Sequence, residues 1–379
     1  MKLIFSTPDF KVDGIPYPGF PILLNSRGRI VSVVLYFFIE TLLNHVGARD
    51  IKTWIAYGQH IYDYFGYLEA RGLNWRASPE GRTLSPISHY SVWCKEICKN
   101  APGYINDKLR TIKRFYGWAL ENHYIVELPF RYVGGGSRRN GIWQESQRTN
   151  VDHKEHTQII KVLSRSQAKE ILSATNNPTH HAAYHLFLTS GLRAEELVTF
   201  PQKYVRDCRN FPSSVKSARV TLKKSDMDTK FDKERTIPVS VNCMDILWRY
   251  RSIHRPALAA LSNNEYPNLF LNRYGEPFTS DGFNKPCERL SGILGFKFHP
   301  HMLRHTFATH TLQALEDLKS KKKLKGSPMK ILQNFLGHSS LTTTGRYIHL
   351  LEEMNDEFGA WYQNEIDAVA SYFLKKTNS

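Results

Sequence analysis

The sequence predicts a mainly α-helical chain of two bodies, the second carrying one small β-sheet. Three observations lead there. Apolar residues recur at three- and four-residue spacing in several long stretches of the 379 residues, the period of helices with one buried face. Two alternating, β-branched runs lie close together, 218–222 and 235–240, which is a hairpin signal. A glycine run, Val133-Gly-Gly-Gly-Ser-Arg-Arg-Asn-Gly141, interrupts a chain too long for one compact core.

In chain order, Ile51, Trp54, Ile55, Ile61, Tyr62, Phe65 and Leu68 mark a helix that closes at Arg71-Gly72. A second helix is expected from Asn106 to Glu121, with Leu109, Ile112, Phe115 and Tyr116 on its apolar face. Its Lys108, Arg110, Lys113 and Arg114 are either a solvated face or phosphate contacts. After the glycine run, which reads as a flexible basic linker, Ser164-Arg-Ser-Gln167 opens a helix as a capping box. Thr179 to Leu188 follows Pro178 as another, then the hairpin, with the polar stretch Lys223–Glu234 joining its strands. Helical pattern resumes over His301–Leu318 and Pro328–Leu336, where Ser327 would cap and Gly337 would terminate, and from Leu351 to the end.

Composition bounds the function. With 41% hydrophobic and 23% charged residues, the chain is far from the signature of disorder. Lys plus Arg number 51 against 35 Asp plus Glu, a net +16, so an acidic partner is indicated. Up to residue 150 there are 19 basic and 12 acidic residues (+7), and beyond it 32 and 23 (+9). A detachable basic tail would gather the excess at one end; two basic bodies suggest two surfaces gripping one polyanion. Five cysteines without a CxxC pair indicate neither a disulfide framework nor structural zinc. Val33–Ile39 is far shorter than the ~20 apolar residues of a membrane span, and Pro8, Asp9 and Lys11 break any secretory signal. The expectation is a soluble cytoplasmic protein with no membrane partner.

Five short motifs carry candidate chemistry: Arg193 in Thr189-Ser-Gly-Leu-Arg-Ala-Glu-Glu-Leu197, Lys230 in Thr229–Pro238, His301-Met-Leu-Arg304-His305, Leu336-Gly-His338, and Tyr347. Each alone is ordinary, as a surface arginine, a hairpin lysine or a core tyrosine. His301 and His305 could be metal ligands at i, i+4, but Met302 stands where metalloproteases carry glutamate, and Arg304 between them would repel a dication.

Order and spacing together resemble the tyrosine recombinase (phage integrase) family, whose catalytic pattern runs Arg, Lys, His-x-x-Arg, His or Trp, then Tyr. Arg193, with Glu196 three residues on, His301-x-x-Arg304-His305-Thr-Phe-Ala-Thr309, Leu-Gly-His338 and Tyr347 match it residue by residue. The resemblance is strong over 160–350 and looser over 48–126. It implies an N-terminal helical core-binding (SAM-like) domain at 31–133, a linker at 134–160, and an α+β catalytic domain at 161–350. The 351–379 helix would dock on its own domain or on a neighbouring protomer. Residues 1–30 and the Lys319–Lys325 insert have no counterpart.

Chemistry agrees with the resemblance. A tyrosine hydroxyl has a pKa of about 10, so attack on a phosphodiester needs a base and an offset for the phosphate charge. Arg193 and Arg304 would supply forked donors, His301 proton transfer, and His338 a hydrogen bond to the phosphate. Lys230, with Lys224 as alternative, would protonate the leaving 5′ hydroxyl. His305 reads as a buried structural histidine and Glu196 as scaffold. No metal, ATP or other cofactor is expected. The resemblance further implies site-specific cleavage and rejoining of double-stranded DNA, a homotetramer on two sites, a Holliday-junction intermediate and accessory bending or directionality factors. Competing readings are a type IB topoisomerase-like or telomere-resolving enzyme and a catalytically silent DNA-binding protein.

Overall fold

Contacts divide the chain into two units, Met1–Thr157 and Gln158–Ser379. The structure, a computed structural model, describes residues 1–44, 50–77, 83–133, 137–139, 142–144, 148–154, 160–212, 215, 217–229, 233–338, 344, 345 and 347. Lys230 and the expected helix from 351 onward lie outside the described residues. No helix among the described residues is long and apolar enough to cross a membrane.

The first unit opens with strands β1 (Lys2–Phe5), β2 (Lys11–Val12), β3 (Ile15–Pro16) and β4 (Pro21–Leu24), in which β1 pairs antiparallel with β4 and β2 with β3. Four helices follow: α1 (Ser32–Phe38), which runs into a π-helical turn at Ile39–Leu43, α2 (Ile51–Arg71), α3 (Pro86–Glu96) and α4 (Pro102–Glu121). The N-terminal stretch, through Phe20 and Leu23, is part of this unit's core. Phe20 is fully buried and meets Trp54 of α2 edge-on at 5.2 Å. Gly58 lets β4 approach α2, since a Cβ there would lie 2.9 Å from Pro21 Cβ. Asp50 caps α2, and Gly72 ends it in the left-handed region at φ 63°, as the Arg71-Gly72 pair predicts.

α4 starts four residues ahead of expectation, because Pro102 is tolerated in a first helical turn. Two of its four basic residues are committed to carboxylates. Lys108 is buried and bonds Asp63 at 2.5 Å, and Lys113 bonds both oxygens of Asp152 at 2.7 Å. The helix has so wide an apolar face that Lys108 falls inside it, where a charge needs a partner. Arg110 stays exposed beside Asp107. Part of the expected flexible linker pairs instead: β5 (Ser137–Arg139) and β6 (Ile142–Gln144) are antiparallel, with Ser137 opposite Gln144.

The second unit is helical around one hairpin. It contains α5 (Arg165–Ala174), α6 (Pro178–Ser190), α7 (Ala194–Val198), strands β7 (Ser217–Leu222) and β8 (Arg235–Ser240), then α8 (Val241–Arg249), a π-helical turn, α9 (Arg255–Ala259), α10 (Asn284–Leu294), α11 (Pro300–Ser320) and α12 (Pro328–Leu336). The Ser164 capping box forms as read. β7 alternates exposed and buried residues, placing Ala218, Val220 and Leu222 in the core opposite Val239, Ile237 and Arg235 of β8. α6 is buried along most of its length and packs against α11 and α8. Ser327 precedes α12 without a side-chain cap, contrary to expectation, although Pro328 does occupy the first helical position. Gly337 does end the helix, at φ 63°.

Candidate active site

Each candidate residue is delivered by the end of an element. α6 stops at Gly191, left-handed at φ 62°, and the chain turns through buried Leu192 so that Arg193 precedes α7. Glu196, one turn on, is 1% exposed. Its Oε1 accepts from Arg193 Nη1 at 2.9 Å and its Oε2 from the Arg193 backbone N–H at 2.8 Å. The same carboxylate accepts both Nη groups of Arg235, at 2.6 Å each. Burial would raise this carboxyl, but the hydrogen bonds and charge of Arg235, with Arg193 behind it, outweigh burial and hold it at about 2.

Arg304 rises from the first turns of α11 and is 3% exposed. Its Nη1 donates to the Gly191 carbonyl, and its Nη2 to Leu336 O at 2.8 Å and to His338 Nε2 at 3.2 Å. Burial, and then the repulsion of Arg193, lower its proton affinity to about 9, still charged at neutral pH. A guanidinium only donates, so His338 Nε2 accepts, and a neutral His338 carries its proton on Nδ1, 3.0 Å from Thr344 Oγ1. Arg193 Nη2 reaches the neighbouring Gly337 carbonyl at 3.3 Å. The left-handed Gly337 thus places a carbonyl and an imidazole against the two arginines.

Tyr347 is 2% exposed, and its ring lies parallel to His338, centroids 6.5 Å apart. Its hydroxyl is hydrogen-bonded to His305 Nδ1 at 2.9 Å. This corrects the reading of His305 as a buried structural residue: it is half-buried and holds the tyrosine, because one helical turn after His301 it faces the same side of α11. Burial, then the charges around it, lower His305 to about 3, so it is neutral at physiological pH. His301 is exposed, its ring edge-on to His305 at 4.2 Å.

The second unit therefore brings together Arg193, His301, Arg304, His338 and Tyr347. Lys230 lies outside the described residues, and Lys224 is exposed in the connection between β7 and β8. Arg235 and Thr344 were missed by sequence reasoning. A signal for Arg235 existed: Glu196 sits among Leu192, Leu197 and Val198, and a carboxylate in such company calls for a cation beyond the half-buried one beside it.

Residues 161–354 match the model of the phage integrase family. A tyrosine recombinase XerC of Staphylococcus saprophyticus subsp. saprophyticus is 35% identical over 150 residues, 36% of this chain and 45% of that protein. The chain thus spans about half the length of such curated relatives. XerC of Bacillus licheniformis is 26% identical over 323 residues, 80% of this chain and 87% of the relative. Among solved structures, a lambda integrase dimer bound to a COC′ core site has a TM-score of 0.54 at 16% identity, covering 86% of this chain and 97% of that one. That likeness is one of fold.

Proposed function

The chain belongs to the phage integrase family, and from that premise we propose that it is a site-specific recombinase that cuts and rejoins double-stranded DNA through Tyr347. The observation that carries this is the convergence of two guanidiniums, an imidazole and a tyrosine around the end of α12: Arg193 at Gly337 O, Arg304 at His338, and His338 facing Tyr347. In this reading Tyr347 is the nucleophile of that cluster, and two fixed positive forks suit a phosphodiester.

Tyr347 Oη attacks the scissile phosphorus, the phosphate stays on the tyrosine as a 3′-phosphodiester, and the 5′ oxygen leaves. Arg193 and Arg304 offset the charge of the phosphate, and His338, accepting from Arg304 through Nε2 and bonded to Thr344 through Nδ1, orients that guanidinium. His305, neutral down to a pKa of about 3, holds the hydroxyl without keeping its proton. The exposed His301, beside His305, receives that proton. Lys230 delivers one to the leaving oxygen. Joining reverses these steps, so the phosphodiester energy is conserved and neither ATP nor a metal ion is consumed.

In this reading residues 31–133 grip the duplex, 161–350 perform the chemistry, and the 351–379 segment serves assembly of a homotetramer through a Holliday junction. The exchange serves integration or excision of phage or mobile elements, with accessory factors setting direction, in the cytoplasm at the nucleoid. XerC homology and the positive charge of both parts support it. The test is a nicked suicide duplex carrying a cognate site. A covalent adduct that survives denaturant, is absent in Tyr347→Phe, and is reduced at least ~100-fold in Arg193→Ala with binding retained is expected. No adduct on any cognate site overturns the proposal, and supercoil relaxation without recombinant product would assign the chain to the topoisomerase-like reading.

A further inference from the structure

We propose that Arg235 is a positioning residue that keeps Arg193 aimed and effectively charged by occupying Glu196, an inference that rests on the recombinase reading above. Arg235 lies at the start of β8, and its side chain is 7% exposed against 17% for Arg193. Glu196, at 1%, is the most buried of the three and lies between the two guanidiniums. Both Glu196 oxygens are shared: Oε1 takes Arg193 Nη1 and Arg235 Nη1, and Oε2 takes the Arg193 N–H and Arg235 Nη2. The carboxylate that fixes Arg193 is itself fixed by a two-pronged fork, a geometry that a lysine cannot reproduce.

Charge gives the second reason. Arg193 and Glu196 alone would sum to zero, and a neutral pair offers little to a phosphate. Arg235 returns the trio to a net positive charge, beside the further positive charge of Arg304. Its Nε also donates to Phe335 O at 2.9 Å, two residues before Gly337. A Cβ on Gly337 would come within 2.9 Å of Arg235 Cδ, so the turn that presents the Gly337 carbonyl to Arg193 is built against this side chain. One arginine thereby joins β8, α7 and the end of α12.

The test compares the full-length wild type with Arg235→Gln, which leaves Glu196 to cancel Arg193, and with Arg235→Lys, which keeps the charge but not the fork should the neutral variant fold poorly. Two suicide duplexes are used: one with an ordinary scissile phosphate, and one whose scissile phosphate carries a methyl group in place of a non-bridging oxygen and so has no charge to offset. Duplex affinity and single-turnover adduct formation are measured on each. Affinity within about threefold of wild type is expected, with adduct formation on the ordinary phosphate slowed by roughly 30- to 100-fold. On the uncharged phosphate the ratio of wild type to variant should shrink to within a few fold. An equal defect on both substrates would show a merely structural role, and no defect on the ordinary one would remove any role; either overturns the inference. Absence of adduct from the wild type on both duplexes would instead overturn the recombinase reading.

Discussion

Gly191→Ala probes the joint on which the arginine site hangs. Gly191 ends α6 at φ +62°, and an added Cβ would lie 2.2 Å from Phe307 Cδ1 and 2.7 Å from Cε1. Phe307 is fully buried in α11, one turn beyond Arg304, so the ring has no free space to swing into. Two costs combine: about 1 kcal/mol for a left-handed alanine and about 1–3 kcal/mol for overpacking. Gly295 is the control. It ends α10 at φ +77° with nothing within 4 Å of its Cβ position, so alanine there meets the backbone cost alone. For a unit of this size about 2–4 °C of melting temperature corresponds to each kcal/mol. Calorimetry should show the second unit's transition lowered by roughly 4–16 °C in Gly191→Ala and about 2–4 °C in Gly295→Ala. Since Arg304 Nη1 bonds the Gly191 carbonyl, adduct formation should fall in the first variant only. Equal shifts in the two variants would refute the reasoning.

Three further outcomes are expected. His181, His185 and His310 are 2%, 0% and 1% exposed, and burial lowers them to about 4, 3 and 4. An unfolded histidine titrates near 6.5, so their contribution to stability is complete above that value and is lost as pH falls toward 3–4. At pH 5 each loses about 2 kcal/mol, and the second unit should melt roughly 12–24 °C lower than at pH 7.5. Glu196 adds to the loss only below its ordinary 4.5, toward about 2, so a transition unchanged down to pH 5 would contradict the burial argument. In the first unit, Lys108→Met should cost about 1–3 kcal/mol, less than a fully buried pair because Asp63 is 35% exposed, with the salt dependence of DNA binding unchanged. Arg110→Met should leave stability alone and, where Arg110 contacts phosphate, reduce the log-log salt slope by about 0.9. Reversed behaviour would show that the buried and exposed cations have been misassigned.

Periodicity located the long elements well because their signals are local. Arg71-Gly72, the Ser164 capping box and Pro328–Gly337 each fix a helix boundary through a few neighbouring residues, and the structure has those boundaries. The β7–β8 hairpin was legible for the same reason. What escaped depends on distant partners. Nothing near Lys108 in the chain announces Asp63, 45 residues away, and nothing near Arg235 announces Glu196. The first 24 residues have no long period to detect, since their strands are two to four residues long and are held by packing onto α2. The candidate site was legible as a set of residues through its order along the chain. Its internal bonding was not: that His305 meets Tyr347 follows from where α11 faces, a tertiary fact.

The measurement closest to the central claim is the identity of the covalent bond. Adduct from a cognate duplex, 3′-labelled on one strand and 5′-labelled on the other, would be trypsinised and the nucleotide-bearing peptide sequenced by mass spectrometry. The account predicts a single modified residue, Tyr347, joined to a 3′ phosphate, with the 5′ hydroxyl strand released. Attachment at any other residue, or through a 5′ phosphate, would contradict it.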